Sequence, residues 1–254
     1  MLLTIDLNAD LGEGFGTARA ADDLELLDLV SSANIACGFH AGDAVTMRDT
    51  VRAAHDRGVS IGAHPSYPDI PGFGRRELGL SPREIEHHVS YQLHAMADAC
   101  AAQGAKMVYV KPHGALYNRA AWDPKAAEAI CRSILAIDRS LMLLGLPSSE
   151  ASRAAEDAGV RFANEAFVDR AYTPAGRLTP RREAGSVIHD VESAVQRSLT
   201  LVHEGTLAAS DGSRLRIDAQ SLCVHGDNVD ASAILRRLRR SLEETGVRIA
   251  PFAA

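Results

Sequence analysis

Cysteine is scarce in this 254-residue chain, and the four present, Cys37, Cys100, Cys131 and Cys223, form no CxxC pair. That scatter excludes a disulfide framework or zinc knuckle and points to a reduced, cytoplasmic setting. Long hydrophobic runs are also missing. Asp6 interrupts the apolar residues of MLLTIDLNAD, which carries no basic flank, so neither a signal peptide nor a membrane span is expected. There is no basic excess: 27 Lys and Arg against 33 Asp and Glu leave a formal charge of -6, which argues against a nucleic-acid partner. The patterns GxGxxG and GxxxxGK[ST] do not occur, so any nucleotide is held in another way or by another chain.

What is present is an alternation of short apolar runs with helical patterns. The runs predict strands at 4–8, 34–37, 59–63, 107–111, 141–145, 161–165 and 221–224. Between them, SPREI opens a helix with a capping residue (Ser81), a proline at the first position (Pro82) and a capping-box partner (Glu84). Ile85, Val89, Leu93, Met96 and Cys100 follow at spacings of three and four, and Gly104 ends the helix. Further helices start at Asp123-Pro124 and near Asp43. In the arginine-rich helix Arg236, Arg237, Arg239 and Arg240 surround Leu235, Leu238 and Leu242 as a solvated face. The expected fold is α/β: a single domain over 1–254 forming a TIM-like (β/α)7 barrel, closed or nearly closed, with outer helices. Residues 65–80 and 170–185, rich in Pro and Gly, are long enough for lids or binding loops, and 210–217 reads as an appended hairpin.

In parallel βα folds, reactive groups stand just beyond the C-terminal ends of strands. Here those positions hold Asn8, Asp10 and Glu13; His40 and Asp43; His64; Lys111 and His113; Glu165, Asp169 and Arg170; and His225, Asp227 and Asn228. Gly38, Gly42, Gly62, Gly114 and Gly226 lie beside them, where backbone turns or approaches a ligand closely. His40, His64 and Asp10 can form a divalent metal site, contact substrate, or be satisfied structural groups. Lys111 can polarise a carbonyl, bind an anion, or be neutralised across the mouth. Asp227 can be a general base, fix a histidine tautomer, or cap the helix near Asp230. Tyr67, Phe73, Tyr117, Trp122 and Tyr172 either wall the pocket or pack ordinarily, and Cys37 reads as strand-end burial.

Six segments carry a wider resemblance: DLNADLGEGFG at 6–16, ACGFHAGD at 36–43, GAHPSYPDIPGFGRR at 62–76, VKPHGALYN at 110–118, FVDRAYTPAGRLTPRREAGSVI at 167–188 and CVHGDN at 223–228. In this order they resemble the LamB/YcsF lactam-utilisation family over essentially the whole chain. Ala44 departs from the proline that commonly follows HAGD, which affects a helix start and no reactive group. The resemblance implies the A subunit of an ATP-dependent 5-oxoprolinase. Such an enzyme cleaves 5-oxo-L-proline to L-glutamate, with ATP and Mg as cofactors and subunits B and C as partners. It further implies catalytic work for Asp10, His64, Lys111 and Asp227. Asp10 or Asp227, with His40 or His64, would position and deprotonate water, while Lys111 with Arg170 or His113 would stabilise the carbonyl or phosphoryl oxygen. Asn8, His40, His113, Glu165, Asp169, Arg170 and His225 would contact substrate. The competing expectations are a metal-dependent amidase or carbohydrate deacetylase, which needs a divalent metal at Asp10, His40 and His64, and a non-catalytic scaffold protein.

Overall fold

The first strand shows how the interior is built. In the structure, a computed structural model that describes residues 3–14, 23–225 and 228–253, β1 spans Thr4–Leu11. Ile5, Leu7, Ala9 and Leu11 are buried and apolar, while Asp6, Asn8 and Asp10 between them are buried and polar. Side chains alternate across a strand, so one face packs on helices and the other meets polar partners. Asn8 Nδ2 donates to Glu165 at 3.1 Å, and Lys111 Nζ donates to Asn8 Oδ1 at 3.2 Å, although neither partner lies on a strand paired with β1. That reach requires the interior of a closed barrel.

Six more parallel strands complete it: β2 (Ser32–Ala36), β3 (Ser60–His64), β4 (Met107–Val110), β5 (Met142–Gly145), β6 (Arg161–Phe167) and, after the antiparallel hairpin of β7 (Thr206–Ala208) and β8 (Arg214–Arg216), β9 (Ser221–Val224). Neighbours pair in chain order from β1 to β6, β6 pairs with β9, and β9 closes onto β1 from Asp6↔Ser221 to Ala9↔Val224. A short β10 (Arg248–Ile249) adds parallel to the start of β1. The closed seven-stranded barrel expected from the sequence is the observed one. The hairpin begins earlier than 210 because Thr206 already pairs with Arg216.

Outside the barrel run α1 (Asp23–Leu27), α2 (Ala44–Asp56), α3 (Pro82–Ala101), α4 (Gly114–Ala120), α5 (Pro124–Ile137), α6 (Glu150–Ala158), α7 (Val191–Glu204) and α8 (Ala231–Glu244). The Ser81–Glu84 capping box forms, and Asp43 and Asp123 accept backbone N–H groups at the starts of α2 and α5. The stripe Ile85, Val89, Leu93, Met96 and Cys100 is buried, and truncating one such leucine to alanine costs about 2–5 kcal/mol. On α8, Leu235, Leu238 and Leu242 face inward while Arg236 and Arg237 pair with Glu25 and Glu192. Among the described residues no helix is long and apolar enough to cross a membrane.

Two strands run further than the apolar pattern indicates. β1 continues to Leu11 and β6 to Phe167, so Asp10 and Glu165 lie within the ladder and point inward instead of standing on the rim. The reason is the polar lining, because inward positions satisfied by hydrogen bonds need not be hydrophobic. At its lower end Asp6 accepts from Ser31 and Ser32 at 2.6 Å each and from Ser221. Burial pushes the Asp6 carboxyl up to about 6 against these hydroxyls. Gly62 is required on β3, since a Cβ there would overlap the Tyr109 ring, whose hydroxyl donates to Asn34 Oδ1 at 2.7 Å.

Candidate active site

The C-terminal ends of the strands open into a cavity of about 480 Å³, within the ordinary range of small-molecule sites, about 300–1,000 Å³. Asp10, His64, Lys111, Phe167 and His225 form its inner surface, Tyr117 and Trp122 one wall, and arginines its lip.

Lys111 organises the floor. Its Nζ lies 3.1 Å from Asp10 Oδ1, 2.8 Å from Glu165 Oε1 and 3.2 Å from Asn8 Oδ1. Burial alone would depress its pKa, but Asp10 and Glu165 outweigh that and hold it well above the ordinary lysine value. Cys223, whose Sγ is 3.0 Å away, stays a neutral thiol because burial raises it. A lysine so paired is a fixed cation and not a nucleophile. Glu165 also accepts from Tyr117 at 2.9 Å, and Asn34 donates to Asp10 at 2.8 Å. Burial would raise Asp10, but the charges of His64 and Lys111 prevail and hold it well below the usual carboxylate range.

Beside this floor stand three histidines from the ends of β2, β3 and β4. His64 Nδ1 donates to the Lys111 carbonyl at 2.7 Å, and His113 Nε2 donates to the Phe73 carbonyl at 2.9 Å. Carbonyls only accept, so these bonds fix which ring nitrogens carry hydrogen. The remaining nitrogens, His64 Nε2 and His113 Nδ1, then face each other as lone pairs 2.9 Å apart. Two facing lone pairs repel, so the contact needs a proton or another cation. Asp10 Oδ2 lies 3.4 Å from His64 Nε2. His40 stacks on His113 at 3.9 Å and bonds Glu13 through Nε2 at 3.0 Å, which leaves its buried Nδ1 without a hydrogen-bond partner. Burial and the neighbouring histidines push His40 and His113 well below the ordinary histidine pKa, so both favour the neutral form. Gly74 (φ +63°) makes the stack possible: a Cβ there would lie 2.8 Å from His40 Cβ and 2.9 Å from His113 Cδ2.

Ligand atoms of Glu13, His40, His64 and His113 all lie within 4.8 Å of one another. Three imidazoles and a carboxylate suit a divalent transition ion, and the orphaned His40 Nδ1 and facing lone pairs fit a cation. This donor group differs from the expected Asp10, His40 and His64. Glu13 and His113 join it, while Asp10 directs Oδ1 to Lys111 and Asn34 and leaves Oδ2 3.4 Å from His64 Nε2.

Next to Lys111 sits a second acid–base pair. His225 Nδ1 donates to Asp169 Oδ1 at 2.9 Å, and Asn228 Nδ2 donates to Asp169 Oδ2 at 3.2 Å. Burial opposes ionisation of Asp169, but His225 overcomes it and lowers the carboxyl pKa. The His225 ring stacks on Phe167 at 5.1 Å and turns its other nitrogen away from Asp169.

Arg170 lines the cavity, as a substrate contact would, and also holds its own loop. Burial, then the nearby Arg181, lowers it to about 10, and its guanidinium donates to the carbonyls of Thr179 at 2.6 Å and Ser186 at 3.1 Å. It therefore pins loop 170–185, while Arg177, Arg181 and Arg182 reach the cavity lip with Arg75 from the other long loop. Of the four arginines in loop 170–185, sequence pattern alone singles out only Arg170, because only it directly follows a strand-end carboxylate. Asp227 and Gly226 lie outside the described residues. Asn8, Asp10, His64, Lys111, Glu165, His225 and Asp169 converge around the floor, and His40 and His113 adjoin it. Asn34 was missed, although it is the period-two inward position of β2.

The sequence profile of the LamB/YcsF family matches residues 5–254. This chain belongs to that family. It is 51% identical over 253 residues to a 5-oxoprolinase A subunit of Agrobacterium fabrum, covering 100% of this chain and 99% of the relative. The lactam utilization protein of Thermus thermophilus superposes with a TM-score of 0.92 at 43% identity, covering 98% of this chain and 100% of the other. Peptidoglycan deacetylase PdaC from Bacillus subtilis reaches a TM-score of 0.52 at 11% identity, covering 98% of this chain and 87% of that one, a likeness of fold alone.

Proposed function

We propose that this chain is the A subunit of an ATP-dependent 5-oxoprolinase, opening the lactam of 5-oxo-L-proline to L-glutamate in the cytoplasm, together with subunits B and C. The observation that carries this reading is the full-length 51% identity to a protein of that name. The chemistry of the site supports it. A five-membered lactam has little ring strain, so its carbonyl needs activation, and MgATP supplies a phosphoryl group for the lactam oxygen. One water then opens the ring and a second releases phosphate.

The chain's own residues provide the proton handling. Asp10, held ionised by Lys111, and His64 orient water and take its proton. Lys111 is a positioning residue for Asp10 and Glu165. His225, oriented by Asp169, is placed to deliver a proton to the departing ring nitrogen. Asp227 retains its expected role as an alternative base. The test is to combine the chain with candidate B and C subunits and follow ADP and glutamate with 5-oxoproline present. Both rising in step supports the reading, and ADP release without glutamate opposes it.

The histidine–glutamate cluster favours a second reading, a metal-dependent amide hydrolase that needs no ATP. Glu13, His40, His64 and His113 would hold the ion, which when bound supplies Lewis-acid polarisation and an acidified water. Amide cleavage without ATP that disappears on chelation would favour this reading.

A further inference from the structure

The lip of the cavity is more basic than a lactam carboxylate requires. Arg75 from loop 65–80 and Arg177, Arg181 and Arg182 from loop 170–185 line it, with Lys111 beneath. The only carboxylate in that lining among the described residues is Asp10, already engaged by Lys111 at 3.1 Å and His64 at 3.4 Å. A chain of net charge -6 thus gathers positive charge at one opening. Arg177 and Arg182 make no side-chain hydrogen bond or ion pair among the described residues. Their loop is nevertheless held in place. Arg170 ties Thr179 to Ser186 through their carbonyls, Tyr172 pairs with Leu178, and the Tyr172 hydroxyl accepts the Phe167 N–H at 2.9 Å. Arg75 lies over the Phe73 ring at 4.8 Å. Guanidinium groups carried by loops held in this way around one opening suit a ligand carrying more than one negative charge.

We propose that this rim is a phosphoryl-binding subsite. Guanidinium forks match phosphate oxygens in geometry as well as charge, and two or more of them match a dianion better than the single carboxylate of 5-oxoproline. The phosphoryl group arrives either on a nucleoside triphosphate or on the lactam oxygen of an already phosphorylated substrate. Which molecule carries it depends on the lactam reading; the subsite itself does not.

Trp122, the single tryptophan, is exposed on the cavity wall and reports binding directly. Titrating the whole chain with inorganic phosphate is expected to change its fluorescence saturably. Chloride at equal ionic strength is expected not to. In Arg177→Gln/Arg182→Gln the phosphate affinity should fall about tenfold or more, as expected for lost charge-assisted hydrogen bonds. Equal affinity in the variant, or a phosphate response no different from chloride, overturns the proposal. Both arginines are exposed at the lip without structural bonds, so the variant keeps its fold.

In the complex with subunits B and C, the same variant separates the two sources. Continued ADP release with at least about tenfold less glutamate per ADP assigns the phosphoryl group to the substrate. A parallel fall of ADP and glutamate assigns it to the nucleotide, and no change in either overturns the subsite. A wild-type complex that forms no glutamate removes the lactam reading, and the phosphate titration then decides the subsite alone.

Discussion

Replacing Lys111 with methionine roughly keeps the length of the stem and removes the one charge that two buried carboxylates share. Lys111 is 2% exposed and Glu165 is fully buried, with Nζ–oxygen distances of 3.1 Å to Asp10 and 2.8 Å to Glu165. Breaking a buried pair from one side costs about 3–5 kcal/mol, because the remaining charge stays buried without its partner. Lys111→Met should therefore lose about that much stability at pH 8 in urea unfolding. The loss should shrink as pH falls. Once Lys111 is gone, only His64, His225 and hydrogen bonds oppose burial, so the folded-state pKa of Asp10 rises from its depressed value. A depressed carboxyl contributes stability above its unfolded pKa and loses it as pH falls through the folded one, so the part of that contribution lost in the variant matters at neutral pH and vanishes in acid. The full effect of about 1.4 kcal/mol per unit of pKa change is reached only below both pKa values, so the deficit at about pH 4 should be smaller than at pH 8. Lys111→Met/Glu165→Gln should recover a large part of the loss. A deficit below about 1 kcal/mol at pH 8, or one independent of pH, would refute the view that this lysine neutralises two buried carboxylates.

Other positions give independent tests. Asp6 has a folded pKa of about 6 against an ordinary 3.8, so its proton-linked stability is present at pH 4 and disappears through pH 6. Asp6→Asn should flatten the stability profile between pH 4 and 7, and a profile superimposable on wild type would contradict the assignment. Gly74→Ala must adopt φ +63° with its Cβ 2.8 Å from His40, and left-handed backbone alone costs about 1–2 kcal/mol. A thermal melt unchanged within about half a kcal/mol would show that the histidine stack is not tightly built. Asp169→Asn leaves the shape of the His225 support but removes its charge. Turnover should fall about 100-fold or more, with a changed pH profile, while unfolding stays cooperative. Unaltered turnover would exclude His225 as the acid.

Much of this was legible because barrel topology and strand-end chemistry are both local in sequence. Apolar runs separated by capped helices give the seven parallel strands, and Asp10, His64, Lys111 and His225 each follow or end such a run. What stayed hidden depends on side chains meeting across the barrel. Asn8, Asn34, Tyr109 and Glu165 form one interior network only once β1, β2, β4 and β6 enclose a common axis. Because that network satisfies polar groups, it masks the true ends of β1 and β6. The approach of His40 to His113 needs β2, β3 and β4 side by side and a glycine at 74. The roles of the loop arginines are set by the pairings of Arg170 with Val187 and Tyr172 with Leu178, which no local pattern announces.

Lactam opening at the Asp10 floor is tested by measuring glutamate formed per ADP in the complex that carries Asp10→Asn. The wild-type chain should give glutamate and ADP in equal amounts from 5-oxoproline and ATP. Asparagine preserves the size of Asp10 but not its charge, so glutamate formation should fall about 100-fold or more. Glutamate formation at the wild-type rate in that variant would contradict lactam opening at this floor.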